Sequence, residues 1–366
     1  MIPNQRQFTN AQCMYFPCHQ TAEESTFNCL FCYCPLYALG EDCGGNFTWA
    51  KHEDIKMKLC DNCTLPHKPE NYQYIMDKLT PEALTFPRFV DATQLTDIVA
   101  RLCVQANIYL PGDVKDAIKK CQACETSPLA ADTLNKLVEN YTLAEEKEMP
   151  ICQDTGVTCV FLEIGEQVHI RGNIANAVNE GVRRGYAEGY LRKSVIDEPL
   201  FSRKNTGDNT PAFIYTDYVS GDRIRITMVP KGFGSENMSA VRMLQPSDGM
   251  GGVTQFVLDT VKNAGPNPCP PIVVGVGVGG TMDKAALLAK KALLRPLHQR
   301  HPHEKYAGYE AELLEKINAL GIGPQGYGGK TTALAVAIEY NPTHIAGLPV
   351  AVNLNCHAAR HVSEVL

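Results

Sequence analysis

Eight cysteines fall within the first 63 residues of this 366-residue chain: Cys13, Cys18, Cys29, Cys32, Cys34, Cys43, Cys60 and Cys63. No other feature constrains the fold as tightly. Thiols at that density either cross-link or hold metal, and the redox compartment decides which. The N-terminus, MIPNQRQFTNAQ, has no apolar stretch of the kind a secretory signal needs, so no such signal is expected. The most membrane-like run, 270–280 (PPIVVGVGVGG), is far shorter than the ~20 residues of a spanning helix. The expectation is a cytoplasmic protein, not membrane-bound, whose thiols hold metal.

Spacing supports metal. Cys29-x-x-Cys32 and Cys60-x-x-Cys63 each place two sulfurs on one tight turn, and two such turns can close a four-sulfur site. The gap between them is 27 residues, longer than in a simple ribbon. Cys13, Cys18, His19, Cys34, Cys43 and His67 are further donors, enough for two ions. So short a segment cannot rest on an apolar core alone, and metal would supply its folding energy. Structural zinc is the expected occupant, with an iron–sulfur cluster or plain buried thiols as alternatives. The stretches CxxxxCH, FNCLFCYCPLY, CGG and CxxCxxPH resemble the cysteine-rich small domain family over most of residues 13–67. That resemblance implies a zinc-binding module and no particular reaction.

The remainder reads differently. A boundary is expected near residue 78, giving a cysteine-rich domain over 1–78 and a larger domain over 79–366. Helical spacing of apolar residues covers 92–108, 112–124 and 128–146, up to a break at Met149-Pro150. Apolar strand-like runs follow at 157–164, 211–219, 222–229, 271–278, 331–338 and 344–354. Helices are expected between them at 173–192, 249–264, 281–294 and 309–319. Helices first, then strands mixed with helices, predict an α+β fold: a small metal-stabilised domain, a helical segment and a mixed α/β domain. The net charge is −6, shared evenly by the two parts, which argues against a nucleic-acid binder. Residues 321–332 (GIGPQGYGGKTT) imitate a phosphate loop, but Pro324 stands where the motif needs glycine. A tight turn into a strand is the better reading. Cys121-x-x-Cys124, one helical turn apart, reads as a partly buried pair.

Three other cysteines share a setting. Cys152 (PICQDTG), Cys269 (NPCPP) and Cys356 (NLNCHAARH) each lie in a polar or proline-rich turn, unlike Cys159 inside an apolar run. Three thiolates distant in sequence can converge on one iron–sulfur cluster, leaving one iron open to act as a Lewis acid. Unrelated buried thiols are the alternative. Gln153, Asp154, His357, Arg360 and His361 lie beside them as possible acid, base or carboxylate-binding groups.

These turns belong to a longer resemblance. PICQDTG, NEGVRRGYAEGYLRKS, KGFGSENMS, GPNPCPP, VGVGVGGTMDKAALLAKKALL, GIGPQGYGGKTTALAV and THIAGLPVAVNLNCHAARH, in this order over about 80–366, resemble the α subunit of class I, iron–sulfur fumarate hydratases. The α chain of L-tartrate dehydratase shares the pattern. The resemblance implies that Cys152, Cys269 and Cys356 bind a [4Fe–4S] cluster whose unique iron takes substrate. It implies that Gln153 and Asp154 contact substrate, Asp154 as acid, and that Arg192 binds a substrate carboxylate. Gly234 and His344 would line the same site. Single-chain members continue into a second half after CHAARH, so a separate β subunit is expected to complete a heteromeric enzyme acting on a dicarboxylate. Fumarate hydration is the leading expectation. Dehydration of L-tartrate or of a methyl-substituted dicarboxylate, or a non-catalytic zinc-binding regulator on an inactive hydro-lyase scaffold, are the alternatives.

Overall fold

A computed structural model describes residues 7–19, 26–52, 55–79 and 88–366. The chain divides into two compact units, Met1–Pro87 and Arg88–Leu366.

The described residues of the first unit form little regular structure. Strands β1 (Thr48–His52) and β2 (Ile55–Leu59) form an antiparallel hairpin, and helix α1 (Tyr72–Lys78) follows. Its apolar core is Leu36, Cys43 and Ile75, with Phe31, Phe47, Leu65 and a few others leaning on it. A core so small cannot offset the chain entropy of ordering the segment.

The second unit is built on two four-stranded sheets and is α+β, as expected. It opens with β3 (Arg88–Asp91) and three helices, α2 (Ala92–Ile108), α3 (Gly112–Cys124) and α4 (Pro128–Glu146). Asp91 caps α2 by accepting from the Thr93 N–H at 2.9 Å. Then come β4 (Val157–Gly165), β5 (Val168–Arg171), α5 (Ile174–Glu188), β6 (Phe213–Val219) and β7 (Ile224–Lys231). The short helix α6 (Phe233–Glu236) precedes β8 (Ala240–Leu244), α7 (Gly249–Ala264), β9 (Ile272–Gly279) and α8 (Met282–Ala292). Helix α9 (Glu304–Asn318) and strands β10 (Ala333–Asn341), β11 (Leu348–Asn355) and β12 (Val362–Val365) complete the unit.

One sheet runs β12-β7-β4-β6, the other β10-β9-β11-β8. Helices α2 and α5 cover the first through Leu95, Val99, Leu102, Val178 and Val182 against Val160, Leu162, Ile224 and Ile226. Helices α7 and α9 cover the second through Val257, Val261, Leu313 and Ile317. Helix α8 lies against both sheets. Its alanines Ala285 and Ala289 meet Ala351 of β11, while Leu287 leans on the Val157–Phe161 side of β4.

The alternating glycines of β9 make this close packing possible. A Cβ on Gly277 would lie 2.0 Å from the Ala285 carbonyl oxygen, inside van der Waals contact. Gly277→Val should therefore force α8 off the sheet and destabilise the unit by about 3 kcal/mol, the upper range for overpacking, read by thermal unfolding. An unchanged melting temperature would show that α8 does not sit on this strand.

Among the described residues no helix is long and apolar enough to cross a membrane.

Candidate functional site

Sheet topology brings the three isolated cysteines to one place. Strand β11 runs antiparallel to β9, pairing Asn355 with Val273, so the end of β11 lies beside the start of β9. Cys356 follows β11 directly and Cys269 precedes β9 by three residues. The Cys269 carbonyl accepts from the His357 N–H at 3.3 Å, tying the two turns together. Cys269 adopts φ +55°, a left-handed conformation uncommon for a residue with a side chain. Cys152 joins them from the turn before β4, where its sulfur accepts from the Asp154 N–H at 3.4 Å.

The Cys269 thiol is pushed up, first by burial and then by the charges of Cys356, Cys152 and Asp154. Burial also pushes up Cys356, while Arg360 and Lys231 pull against it. The three sulfurs are thus mutual electrostatic neighbours. All fifteen cysteines are free thiols, and Cys152 and Cys269 are exposed.

Two buried cations stand beside this group. Arg360, 2% exposed, donates to the Asp154 carbonyl at 2.7 Å and to Asn107 Oδ1 at 3.2 Å, clamping the Cys152 turn against the Cys356 turn. Its Nε is buried without a hydrogen-bond partner. Lys231, 1% exposed, closes β7. Its ammonium donates to Ser235 Oγ at 2.9 Å and pairs with Glu236 at 3.1 Å. Glu236 also meets Lys290 at 2.7 Å and the Asn353 amide at 2.9 Å. Burial would raise the Glu236 carboxyl, but Lys231 and Lys290 outweigh it and hold it at about 2. Burial lowers His357 to about 4, so it stays neutral near pH 7. Three thiolates are an anionic donor set, and buried cations around it are the complement a metal–sulfur group needs. The residues present fit that group.

The substrate candidates fall around these turns, with one exception. Gln153 is exposed beside Cys152. Asp154 accepts from the Gly156 N–H through Oδ1 and from the Phe233 N–H through Oδ2, both at 3.0 Å. It is therefore a turn residue and also a tie to the KGFG segment. A Cβ on Gly234 would lie 3.5 Å from the Asn267 carbonyl, which places that glycine beside the Cys269 turn. Arg192 is exposed, and its carbonyl accepts from Thr155 Oγ1 at 2.9 Å, next to the Cys152 turn.

His344 is elsewhere. It precedes β11, whereas Cys356 follows it, and an eight-residue strand at ~3.3 Å per residue separates them by roughly 25 Å. The fold does not bring His344 to the three cysteines within this chain. The Lys231–Glu236–Lys290 network is a feature that the sequence reading lacked. Its one local signal was a lysine ending the apolar run IRITMVPK.

The first unit gathers its donors as well. The knuckles are tight turns, with Cys32 N–H donating to the Cys29 carbonyl at 3.1 Å and Cys63 N–H to the Cys60 carbonyl at 2.9 Å. The ligand atoms of Cys18, His19 and His67 lie within 4.8 Å of one another. His67, 2% exposed, is stacked on Phe27 at 4.4 Å. The neighbouring thiols that raise Cys18, after burial, are Cys32, Cys29 and Cys13. Those that raise Cys34, after burial, are Cys63, Cys43 and Cys60. Cys121 is half-buried and Cys124 exposed on α3.

Comparison with known proteins gives the family. Residues 96–365 match the fumarate hydratase (fumerase) family, and residues 4–86 match the cysteine-rich small domain. A putative L(+)-tartrate dehydratase subunit alpha of Methanocaldococcus jannaschii is 48% identical over 274 residues, 73% of this chain and 95% of that protein. The L(+)-tartrate dehydratase subunit alpha of an Escherichia coli strain is 33% identical over 269 residues, 73% of this chain and 89% of that protein. With the family spanning both sheets and all three clustered cysteines, the chain belongs to the fumarate hydratase family of hydro-lyases and carries a cysteine-rich small domain ahead of it.

Proposed function

We propose that the chain is the α subunit of an iron–sulfur hydro-lyase that interconverts fumarate and L-malate, with Cys152, Cys269 and Cys356 holding a [4Fe–4S] cluster. The observation that carries this reading is the convergence of those three sulfurs beside buried Arg360 and Lys231. So held, the cluster would supply Lewis-acid chemistry toward a substrate carboxylate and hydroxyl.

The chain's own groups do the rest. Two backbone N–H donors, of Gly156 and Phe233, fix the aim of the Asp154 side chain. In hydration its Oδ2 accepts the proton of the attacking water, and in dehydration it returns that proton to the departing hydroxyl. The exposed guanidinium of Arg192 takes the charge of a substrate carboxylate, which grows in the transition state as the neighbouring carbon gives up its proton. The group that handles that carbon proton comes from a separate β subunit, so the α chain alone is inactive. The cysteine-rich unit binds structural zinc.

L(+)-tartrate dehydration is the second reading, favoured by the names of the relatives. It uses the same leaving hydroxyl and the same two carboxylates. Anaerobic turnover of fumarate, L-tartrate and mesaconate, with and without the β subunit, tests both. The leading proposal expects activity only with the partner and fumarate as the fastest substrate. Tartrate as the fastest would favour the second reading. No turnover of any dicarboxylate by a cluster-loaded complex would contradict both.

A further inference from the structure

We infer that Cys18, His19 and His67 hold a zinc ion through one sulfur and two imidazole nitrogens, a mixed site in a unit otherwise rich in thiols. This rests on the reading of that unit as a zinc module and goes beyond it by assigning a donor set to named atoms.

Two contacts fix the tautomers. His67 Nδ1 lies 3.0 Å from the Asn28 carbonyl oxygen, and His19 Nε2 lies 3.4 Å from the Cys60 carbonyl oxygen. A carbonyl can only accept, so His67 carries its proton on Nδ1 and His19 carries its proton on Nε2. The other nitrogen of each ring is a lone pair, and both lone pairs face one sulfur. His19 Nδ1 lies 3.4 Å and His67 Nε2 3.8 Å from Cys18 Sγ. All three atoms fall within 4.8 Å of one another. A thiol has one hydrogen and can serve only one of two acceptors. Given to His19, it leaves the nitrogen of His67, which is 2% exposed, against bare sulfur; given to His67, it leaves His19 so. A cation among the three atoms satisfies all of them at once.

The spacing suits zinc. A Zn–S bond of about 2.3 Å and a Zn–N bond of about 2.05 Å set a tetrahedral sulfur–nitrogen edge of roughly 3.6 Å. The observed separations of 3.4 and 3.8 Å bracket that edge. A ring N–H bonded to a backbone carbonyl is also the usual support of a metal-binding histidine, and both histidines have one. Phe27 stacks on His67 at 4.4 Å, and Phe16 packs edge-on to Phe27 at 5.4 Å, which holds the imidazole plane. Cys18 is exposed, so an ion can enter from its side, and the fourth corner of the tetrahedron is open to water or a further thiol. The ion joins residues 49 apart in the chain, a closure that the small core of Leu36, Cys43 and Ile75 does not supply.

Zinc content and zinc-edge X-ray absorption of the full chain test the assignment, because both ignore the iron. Wild-type protein should show the outer-shell scattering of zinc-bound imidazole. The double variant His19→Ala/His67→Ala should lose that scattering together with about one zinc per chain. A wild-type spectrum with sulfur neighbours alone, or a double variant that keeps its zinc or its imidazole scattering, would overturn the mixed site and leave the zinc-module reading standing. No zinc in protein that still binds iron would overturn the zinc-module reading itself. The wild-type spectrum exposes the site to refutation even if the double variant fails to fold.

Discussion

Glu236→Gln should cost the larger unit about 3 kcal/mol, because it strands two lysines that share one carboxylate. Lys231 is 1% exposed, and Glu236 is its charge partner at 3.1 Å, with Lys290 on the other carboxylate oxygen at 2.7 Å. Removing one member of a buried pair leaves an uncompensated charge, which costs far more than the pair contributes. Urea unfolding of the variant should show a lower midpoint. Adding Lys231→Met should restore part of the loss, since the stranded charge is then gone. The pH dependence follows from the same carboxylate. Its folded pKa of about 2 lies below the unfolded value of 4.5, so its stabilisation is complete above about pH 4.5. That contribution is lost as the pH falls toward 2, and in the Gln variant this part of the acid transition should be missing. A Gln variant as stable as wild type would mean that the two lysines find other partners.

Cys269→Ser should abolish both cluster absorbance and hydratase activity. The site has three thiols, and a hydroxyl is a far weaker ligand for iron. The fold should survive, because Cys269 is exposed and lies in a turn outside every core cluster. Circular dichroism would therefore match wild type while iron content falls. Retained activity in this variant would sink the assignment.

Much of the larger unit was legible in the sequence. Helices α2, α3 and α4 occupy the expected ranges because each places apolar residues at helical spacing and a proline, Pro111, Pro128 or Pro150, follows within a few residues of its end. The three cysteines stood out because their turns are polar, while Cys159 sits inside strand β4 and Cys103 inside helix α2. Strands β8 and β12 went unread. Ala240–Leu244 is a half-exposed edge strand with no alternation, and Val362–Val365 is only four residues long. The parallel pairing of β3 with β5 joins segments about eighty residues apart, and nothing local announces it. The alternating glycines of β9 were visible, but their purpose depends on where α8 lands. His344 shows the reverse failure. It is near Cys356 along the chain, yet the strand between them carries it to the far end of the sheet.

Mössbauer spectroscopy of the full chain after anaerobic reconstitution, assembled with its β subunit, before and after substrate is added, tests whether Cys152, Cys269 and Cys356 hold a substrate-binding cluster. About four irons per chain in one cluster are expected, with one iron subsite shifting on addition of substrate and three unchanged. Iron that is absent after reconstitution, or a cluster whose four subsites ignore substrate, would contradict that assignment.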